Sequence, residues 1–144
     1  MPEKETLERA EKDKREGKAP STQAGEFVRE EIEHVREGKH GAKSTKQAIA
    51  IGLSKARRAG VDLPPSQNAP EETKEQAKRD LRKARSGKKV SSKRSRATRK
   101  ALKREGRSAA SKTALSRQAR QAARKRSAAS RSRAAKKAAA TRKK

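Results

Sequence analysis

Arginine and lysine side chains dominate the last part of this sequence, and their spacing suits them to binding phosphate groups. Arg117, Arg120, Arg124 and Arg131 follow one another at intervals of three, four and seven residues, so a helix would carry them as one basic stripe. The alanines between them would let the backbone of that helix approach a polyanion closely. Contacts of this kind release counterions and position a protein on nucleic acid without reading the bases.

The predicted nucleic-acid-binding residues are basic side chains from two regions. Most lie in residues 88–144, which we call the basic arm, and four lie between residues 43 and 58. The amide groups that open a helix predicted at 44–59, together with Lys43 and Lys46, are suited to hold a phosphate. The full predicted set is Lys93, Arg94, Arg96, Arg99, Lys100, Lys103, Arg104, Arg117, Arg120, Arg124, Lys125, Arg126, Arg131, Arg133, Lys136, Lys137, Lys43, Lys46, Arg57 and Arg58.

The charge of the chain is strongly polarised. Its net charge is +26, but residues 1–38 hold 8 basic and 11 acidic residues, a net charge of −3. Residues 39–87 hold 12 basic and 5 acidic residues, a net charge of +7. The basic arm holds 23 basic residues and a single acid, Glu105. This imbalance exceeds what solubility requires, and it indicates a polyanionic partner.

The nature of that partner is narrowed by what the sequence lacks. Phe27 is the only aromatic residue, whereas proteins that bind single-stranded nucleic acids usually stack aromatic side chains on the bases. Helices that lie on a membrane need bulky apolar residues along one face, and the basic arm has almost none. We therefore predict duplex DNA, bound without sequence preference, as the partner. Structured RNA is the main competitor, no membrane is expected, and the oligomeric state stays open.

Enzymatic and metal chemistry are not expected from this sequence. There is no cysteine, and His34 and His40 are the only histidines. Glu31 and Glu37 are interpreted as acids on a helix surface, so three or four converging metal ligands are not evident. The stretch GKHGAKST at 38–45 resembles a phosphate-binding loop, but it lacks the glycine before the lysine and follows a helix instead of a strand. We expect no catalytic residue, no metal site and no cofactor.

The elements that position these residues are predicted to be helices. Low hydrophobicity combined with high charge argues against one large globular domain. The predicted fold class is all-α, with a short helical hairpin and a long basic, Ala/Lys/Arg-rich C-terminal arm that is largely disordered or only conditionally helical. The predicted segments are a charged N-terminal segment at 1–20, the hairpin at 21–63, a linker and charged helix at 64–87, and the basic arm at 88–144. Predicted helices cover 3–16, 26–37, 44–59, 70–86, 92–105 and 108–140.

The hairpin is the best-marked element. On the helix at 26–37, Phe27 and Ile32 fall on one apolar face at 100° per residue. The next helix begins with Ser44, which is placed to cap it, and Gln47 follows three residues later in a capping-box pattern. Gly52 in mid-helix costs up to about 1 kcal/mol relative to alanine. We therefore expect the two helices to approach each other closely at Gly52.

The stretch KSTKQAIAIGLSKARRAG at 43–60 also carries a family resemblance. It is similar to a motif of small basic bacterial proteins, also found in phages, that carry a domain of unknown function. The matching residues are Lys46 to Ile51, Leu53-Ser54, Ala56-Arg57 and Ala59-Gly60, and the likeness extends over 25–60. It implies a bacterial source and brings no established activity. The tail resembles linker-histone-like bacterial arms in composition.

These observations favour a nonspecific DNA-binding protein of the nucleoid-associated or histone-like kind, which contacts the phosphate backbone through its basic arm. Two alternatives stay open, an RNA- or ribosome-associated basic protein and an adaptor whose hairpin binds a protein partner. The first residues, MPEKETLERA, hold no apolar run, and no run of the chain reaches membrane-spanning length. We therefore expect a soluble protein of the cytoplasm, located in the nucleoid.

Overall fold

The fold is all-helical in the computed structural model, which describes residues 2–67, 69–87, 89 and 91–143. Residues 1, 88 and 144 are the first or last residues of predicted segments, and they lie outside the described residues. Within the described ranges there are seven α-helices, one 3₁₀ turn at Ser108–Ala110 and no strand. The helices are α1 (Lys4–Arg15), α2 (Pro20–Glu37), α3 (Thr45–Arg58), α4 (Glu71–Ser86), α5 (Ser92–Lys103), α6 (Lys112–Arg124) and α7 (Ala128–Arg142).

Helices α2 and α3 form the predicted hairpin. Phe27, Ile32 and Val35 are buried on α2, facing a surface of α3 made mainly of alanine and glycine. A Cβ atom added at Gly52 would lie 2.6 Å from Cα of Val28, which confirms the predicted close approach. These small residues let the two backbones pack tightly and exclude water from the aromatic and branched side chains.

The ends of the two hairpin helices follow local rules, with one correction. The backbone N–H of Gln47 donates to Oγ of Ser44 at 3.1 Å, which confirms the predicted cap. Gly38 ends α2 with φ 79°, a conformation that suits glycine. Helix α2, however, begins at Pro20 and not at residue 26, and Ala19, at its N-cap position, makes no side-chain capping hydrogen bond. Proline suits the first turn because its missing N–H has no partner there in any helix.

Helix α1, from the charged N-terminal segment, packs against α2. Thr6, Ala10 and Asp13 are buried on α1, and Ala10 shares a core cluster with Phe27 and Val61. Helix α4 packs against α3 through the buried Ala77 and Asp80. Small residues therefore extend the core on both sides of the hairpin.

The predicted short hairpin with a largely disordered arm is wrong. The arm forms α5, the 3₁₀ turn, α6 and α7, and its middle returns to the hairpin. Ala109 and Ala110 are buried in one cluster with Ile32 and Val35. The loop before α3 is joined to the arm by two backbone hydrogen bonds. The N–H of Gly41 donates to the carbonyl of Leu102 at 2.8 Å, and the N–H of Ala42 donates to the carbonyl of Gly106 at 3.1 Å.

Local chemistry accounts for the helices of the arm. Alanine, arginine and lysine are strong helix formers, and serine side chains cap two of the three helices. Ser111 Oγ accepts from the N–H of Ala114, and Ser127 Oγ accepts from the N–H of Ser130, both at 3.1 Å. These two caps split the predicted helix at 108–140 into the 3₁₀ turn, α6 and α7. No described helix is long and apolar enough to cross a membrane.

Candidate nucleic-acid interface

The basic side chains of the arm that the structure describes are exposed, and no ion pair joins them to an acid among the described residues. The ion pairs of the described residues all lie between Glu3 and Asp80. Helices α5 and α7 bury no residue. The exposed predicted residues are Lys93, Arg94, Arg96, Arg99, Lys100, Lys103, Arg104, Arg117, Arg120, Arg124, Lys125, Arg126, Arg131, Arg133, Lys136 and Lys137. These cations are therefore available to an external polyanion.

Helix α6 carries the core of the predicted stripe. Arg117, Arg120 and Arg124 lie within about 60° of one another around its axis at 100° per residue. Leu115, on another face of α6, packs against the cluster formed by the hairpin and the 3₁₀ turn. The helix is interrupted after Arg124, so Arg131 lies on α7 and the four arginines do not share one continuous helix. Docking through Leu115 leaves the three-arginine stripe exposed.

A groove joins the arm to the hairpin. It has a volume of about 220 Å³ and lies between the start of α3 and α6. Lys46 and Arg117, predicted from distant parts of the sequence, both line it. Its lining residues are Ser44, Thr45, Lys46, Ala114, Arg117, Gln118 and Gln121. Two cations and two amide side chains therefore surround the groove.

The start of α3 adds to the positive potential of this groove. A helix N-terminus carries a partial positive charge, which favours anions nearby. The hydroxyl of Thr45 donates to the carbonyl of Ala109 at 2.6 Å, so the first turn of α3 is fixed directly to the arm. Lys43 and Lys46 are both exposed. The N-terminal end of α3 and the stripe of α6 thus border the same basic surface, here called the α3–α6 surface.

Arg57 and Arg58 lie apart from that surface. Arg57 is buried, and its Nε donates to the carbonyl of Leu63 at 2.9 Å. Burial lowers the pKa of the Arg57 guanidinium, while the charge of Asp80 acts in the opposite direction. Arg58 is half-buried, with Nε 3.8 Å from Oδ1 of Asp80. Both side chains hold the end of α3 against its neighbours and do not contribute to the α3–α6 surface.

A buried polar cluster near the end of α2 was missed by sequence reasoning. Glu30 and Glu31 are 2% and 0% exposed, so interpreting Glu31 as a surface acid is wrong. Glu31, His34 and His40 bring ligand atoms within 4.8 Å of one another. The interval of three residues between Glu31 and His34 puts both on one helix face, and this was the signal in the sequence. The approach of His40 depends on the loop after Gly38, which no local pattern predicts.

Comparison with known proteins places a domain in the N-terminal part. Residues 5–67 match a family described as "Family of unknown function (DUF6496)". The match contains the KSTKQAIAIGLSKARRAG stretch and confirms the prediction of a domain of unknown function, which extends from α1 to beyond α3 and so exceeds the predicted 25–60. No curated protein and no solved structure matches the chain.

Proposed function

We propose that the chain is a nonspecific DNA-binding protein of the bacterial nucleoid-associated or histone-like kind. The observation that carries this proposal is the division of charge. Most acids of helices α1, α2 and α4 are paired with cations, whereas the exposed cations of α5, α6 and α7 have no acidic partner within the described residues. A dense set of unpaired cations binds phosphates and releases counterions, which favours binding to any duplex.

Under this proposal, the α3–α6 surface and the outer helices of the arm engage the DNA together. The α3–α6 surface presents Lys46 and Arg117 from two docked elements, so their separation is held by packing. Helices α5 and α7 have no buried residues, and they extend the phosphate contacts along the duplex. The absence of stacking aromatics on the arm favours backbone contacts with a duplex over insertion between unstacked bases.

The proposal is tested by removing the stripe on α6 while matching the loss of charge elsewhere. The test variant is Arg117→Gln/Arg120→Gln/Arg124→Gln. The control is Arg82→Gln/Lys83→Gln/Arg85→Gln, which removes three exposed cations from α4. Affinity for a fluorescent DNA duplex is measured by anisotropy over a range of salt concentrations.

We expect the affinity of the α6 variant for the duplex to fall at least about tenfold at low salt. Its log–log salt slope should be shallower by about 3, because each lost phosphate contact contributes about 0.9 to the slope. The control variant should lose much less affinity for the duplex. Equal losses in both variants would contradict a localised interface. Tighter binding to a structured RNA than to the duplex at one salt concentration would contradict the assignment to DNA.

A further inference from the structure

We propose that Glu31, His34 and His40 form a binding site for a divalent transition-metal ion, with zinc as the best-suited ion. The three residues offer one carboxylate oxygen and two imidazole nitrogens, all within 4.8 Å of one another. Two histidines and one carboxylate are a known zinc ligand set, in which zinc–ligand distances are 2.0–2.2 Å. Neither the family match nor the DNA-binding proposal includes such a site.

The spacing of the ligand atoms suits a tetrahedral ion. Ligands about 2.1 Å from a tetrahedral zinc lie about 3.4 Å from one another. Nε2 of His40 is 3.1 Å from Oε2 of Glu31, the oxygen that would bind the ion. Nδ1 of His34 is 3.9 Å from Oε1, the other oxygen of the same carboxylate. Small side-chain rotations would therefore bring the three residues around one ion.

The outer nitrogen of each histidine has an acceptor that directs the inner nitrogen toward Glu31. Nδ1 of His40 lies 2.9 Å from the carbonyl oxygen of Gly41, to which it donates. Nε2 of His34 lies 3.0 Å from Oε1 of Glu3 and donates to that carboxylate. In a neutral ring the other nitrogen then carries the lone pair. Metal-binding histidines typically have this second hydrogen bond to a carbonyl or carboxylate.

An unpartnered oxygen is aimed into the cluster. Glu31 is 0% exposed, and its Oε2 is buried without a hydrogen-bond partner. Although Nε2 of His40 lies 3.1 Å from this oxygen, no hydrogen bond forms between them. A buried carboxylate oxygen without a partner is costly. A cation between Oε2 and Nε2 would satisfy both atoms.

The charges around the cluster are compatible with a divalent cation. Lys55 contacts Oε1 of Glu31, which orients the carboxylate and leaves Oε2 for the ion. Glu3 pairs with His34 and with Lys39, and Glu30 is buried nearby, with its Oε1 accepting from the N–H of Glu3 at 2.6 Å. Three carboxylates therefore face two ammonium groups, and the balance favours added positive charge.

A metal at this site would fix the loop that holds the arm. His40 lies between Gly38, which ends α2, and Gly41, whose N–H donates to the carbonyl of Leu102. A Cβ atom at Gly41 would overlap the backbone carbonyl of Glu105, so this loop and the arm are in close contact. Binding an ion through α2 and His40 would therefore stabilise the loop on which the arm rests.

The test uses the full chain after chelator treatment and removal of the chelator. Zinc binding is measured by calorimetry, and cobalt serves as a spectroscopic substitute whose visible absorption reports coordination geometry. We expect one equivalent of zinc to bind and magnesium not to bind, because imidazole ligands do not suit magnesium. The cobalt spectrum should have the intense bands of a tetrahedral ion.

Variants assign the ligands. His40→Gln and Glu31→Gln should weaken zinc binding at least 100-fold, and His40, which lies in a loop, keeps the test valid if the buried Glu31→Gln variant fails to fold. Glu3→Gln should weaken binding about tenfold, as expected for a residue that orients a ligand. Glu33→Gln is the matched control on α2, because Glu33 pairs with Arg29 at 3.0 Å and not with the cluster, and it should bind zinc normally.

Three results would overturn the proposal. The first is wild-type protein that binds no zinc. The second is zinc binding that persists unchanged in His40→Gln. The third is that Glu30→Gln loses zinc binding while His40→Gln keeps it. Ligand atoms of Glu3, Glu30 and His34 also lie within 4.8 Å of one another, so that result would assign the ion to those three residues.

Discussion

The N-terminal helices α1–α4 and the C-terminal helices α5–α7 are both rich in charge but use it differently. In the N-terminal region, ion pairs hold elements together. Arg9 of α1 lies 2.9 Å from Glu26 of α2, and Lys18, in the loop after α1, lies 2.8 Å from Asp13. In α5–α7, the described basic side chains are exposed and have no acidic partner. Paired charges contribute to the fold, whereas unpaired charges of one sign oppose it and are best explained by a partner.

The two regions also differ in how they are buried. The hairpin buries Phe27, Ile32 and Val35, whereas the residues of the arm that are buried, among those described, are Ala109 and Ala110. The arm therefore depends on a small contact, centred on two alanine side chains and the hydrogen bonds around them. Disturbing this contact should have a larger effect than its size suggests, because it is the joint between the two regions.

The largest expected effect comes from placing a charge in that joint. Ala110 is 0% exposed, and Ala110→Asp would bury a carboxylate without a partner. We expect the free energy of unfolding to fall by about 3–5 kcal/mol, measured by guanidinium denaturation. The control Ala101→Asp is on the exposed surface of α5 and should change stability by less than about 0.5 kcal/mol. Equal stability of the two variants would mean that the arm does not dock.

Replacing either of two glycines by alanine gives the next largest effect, and the two substitutions should change stability in opposite directions. Gly52→Ala would put a Cβ atom 2.6 Å from Cα of Val28, and the forced separation of α2 and α3 should cost about 1–3 kcal/mol. Gly25→Ala is the control, because Gly25 is exposed on α2 and its Cβ would meet nothing within 4 Å. It should stabilise the protein by about 0.5–1 kcal/mol. Two losses of similar size would contradict close helix packing at Gly52.

The smallest effect concerns an ion pair of the N-terminal region. The hydrogen bonds that Lys18 donates to Asp13 and, second in size, to Glu16 raise the pKa of Lys18 above its usual value. Because the folded pKa is raised, this stabilisation is fully present below the unfolded pKa, near 10.4, and is lost as the pH rises through the folded pKa. Lys18→Met should therefore lower the thermal midpoint slightly at pH 7 to 9, with the difference shrinking only in strong alkali. A difference that disappears near neutral pH would contradict this pairing.

The same contrast explains what the sequence could predict. The hairpin was predictable because Phe27 and Ile32 recur at helical spacing and because Ser44 and Gln47 mark the start of α3. The docking of the arm was not predictable from the sequence, because Ala109 and Ala110 are two alanines among many and have no periodic signal. Local patterns identify helices, but which small residues become buried depends on tertiary contacts.

The candidate sites likewise have parts that the sequence could predict and parts that it could not. The exposed cations of α5–α7 were predicted from charge alone, since charge imbalance is visible without a fold. The meeting of Lys46 with Arg117 at one groove required the arm to dock first. The cluster of Glu31 and His40 likewise required the turn at Gly38, whose direction the sequence does not determine.

The most direct test of the central claim is the salt dependence of DNA binding by the full chain and by a chain ending at Arg126. The shorter chain lacks α7 and seven basic residues but keeps the joint at Ala109 and Ala110. If the full chain neutralises about eight phosphates, its log–log slope is near −7, and in proportion to the lost cations the shorter chain should give about −5. A flat slope for the full chain, or identical slopes for both chains, would contradict binding through the unpaired cations of the arm.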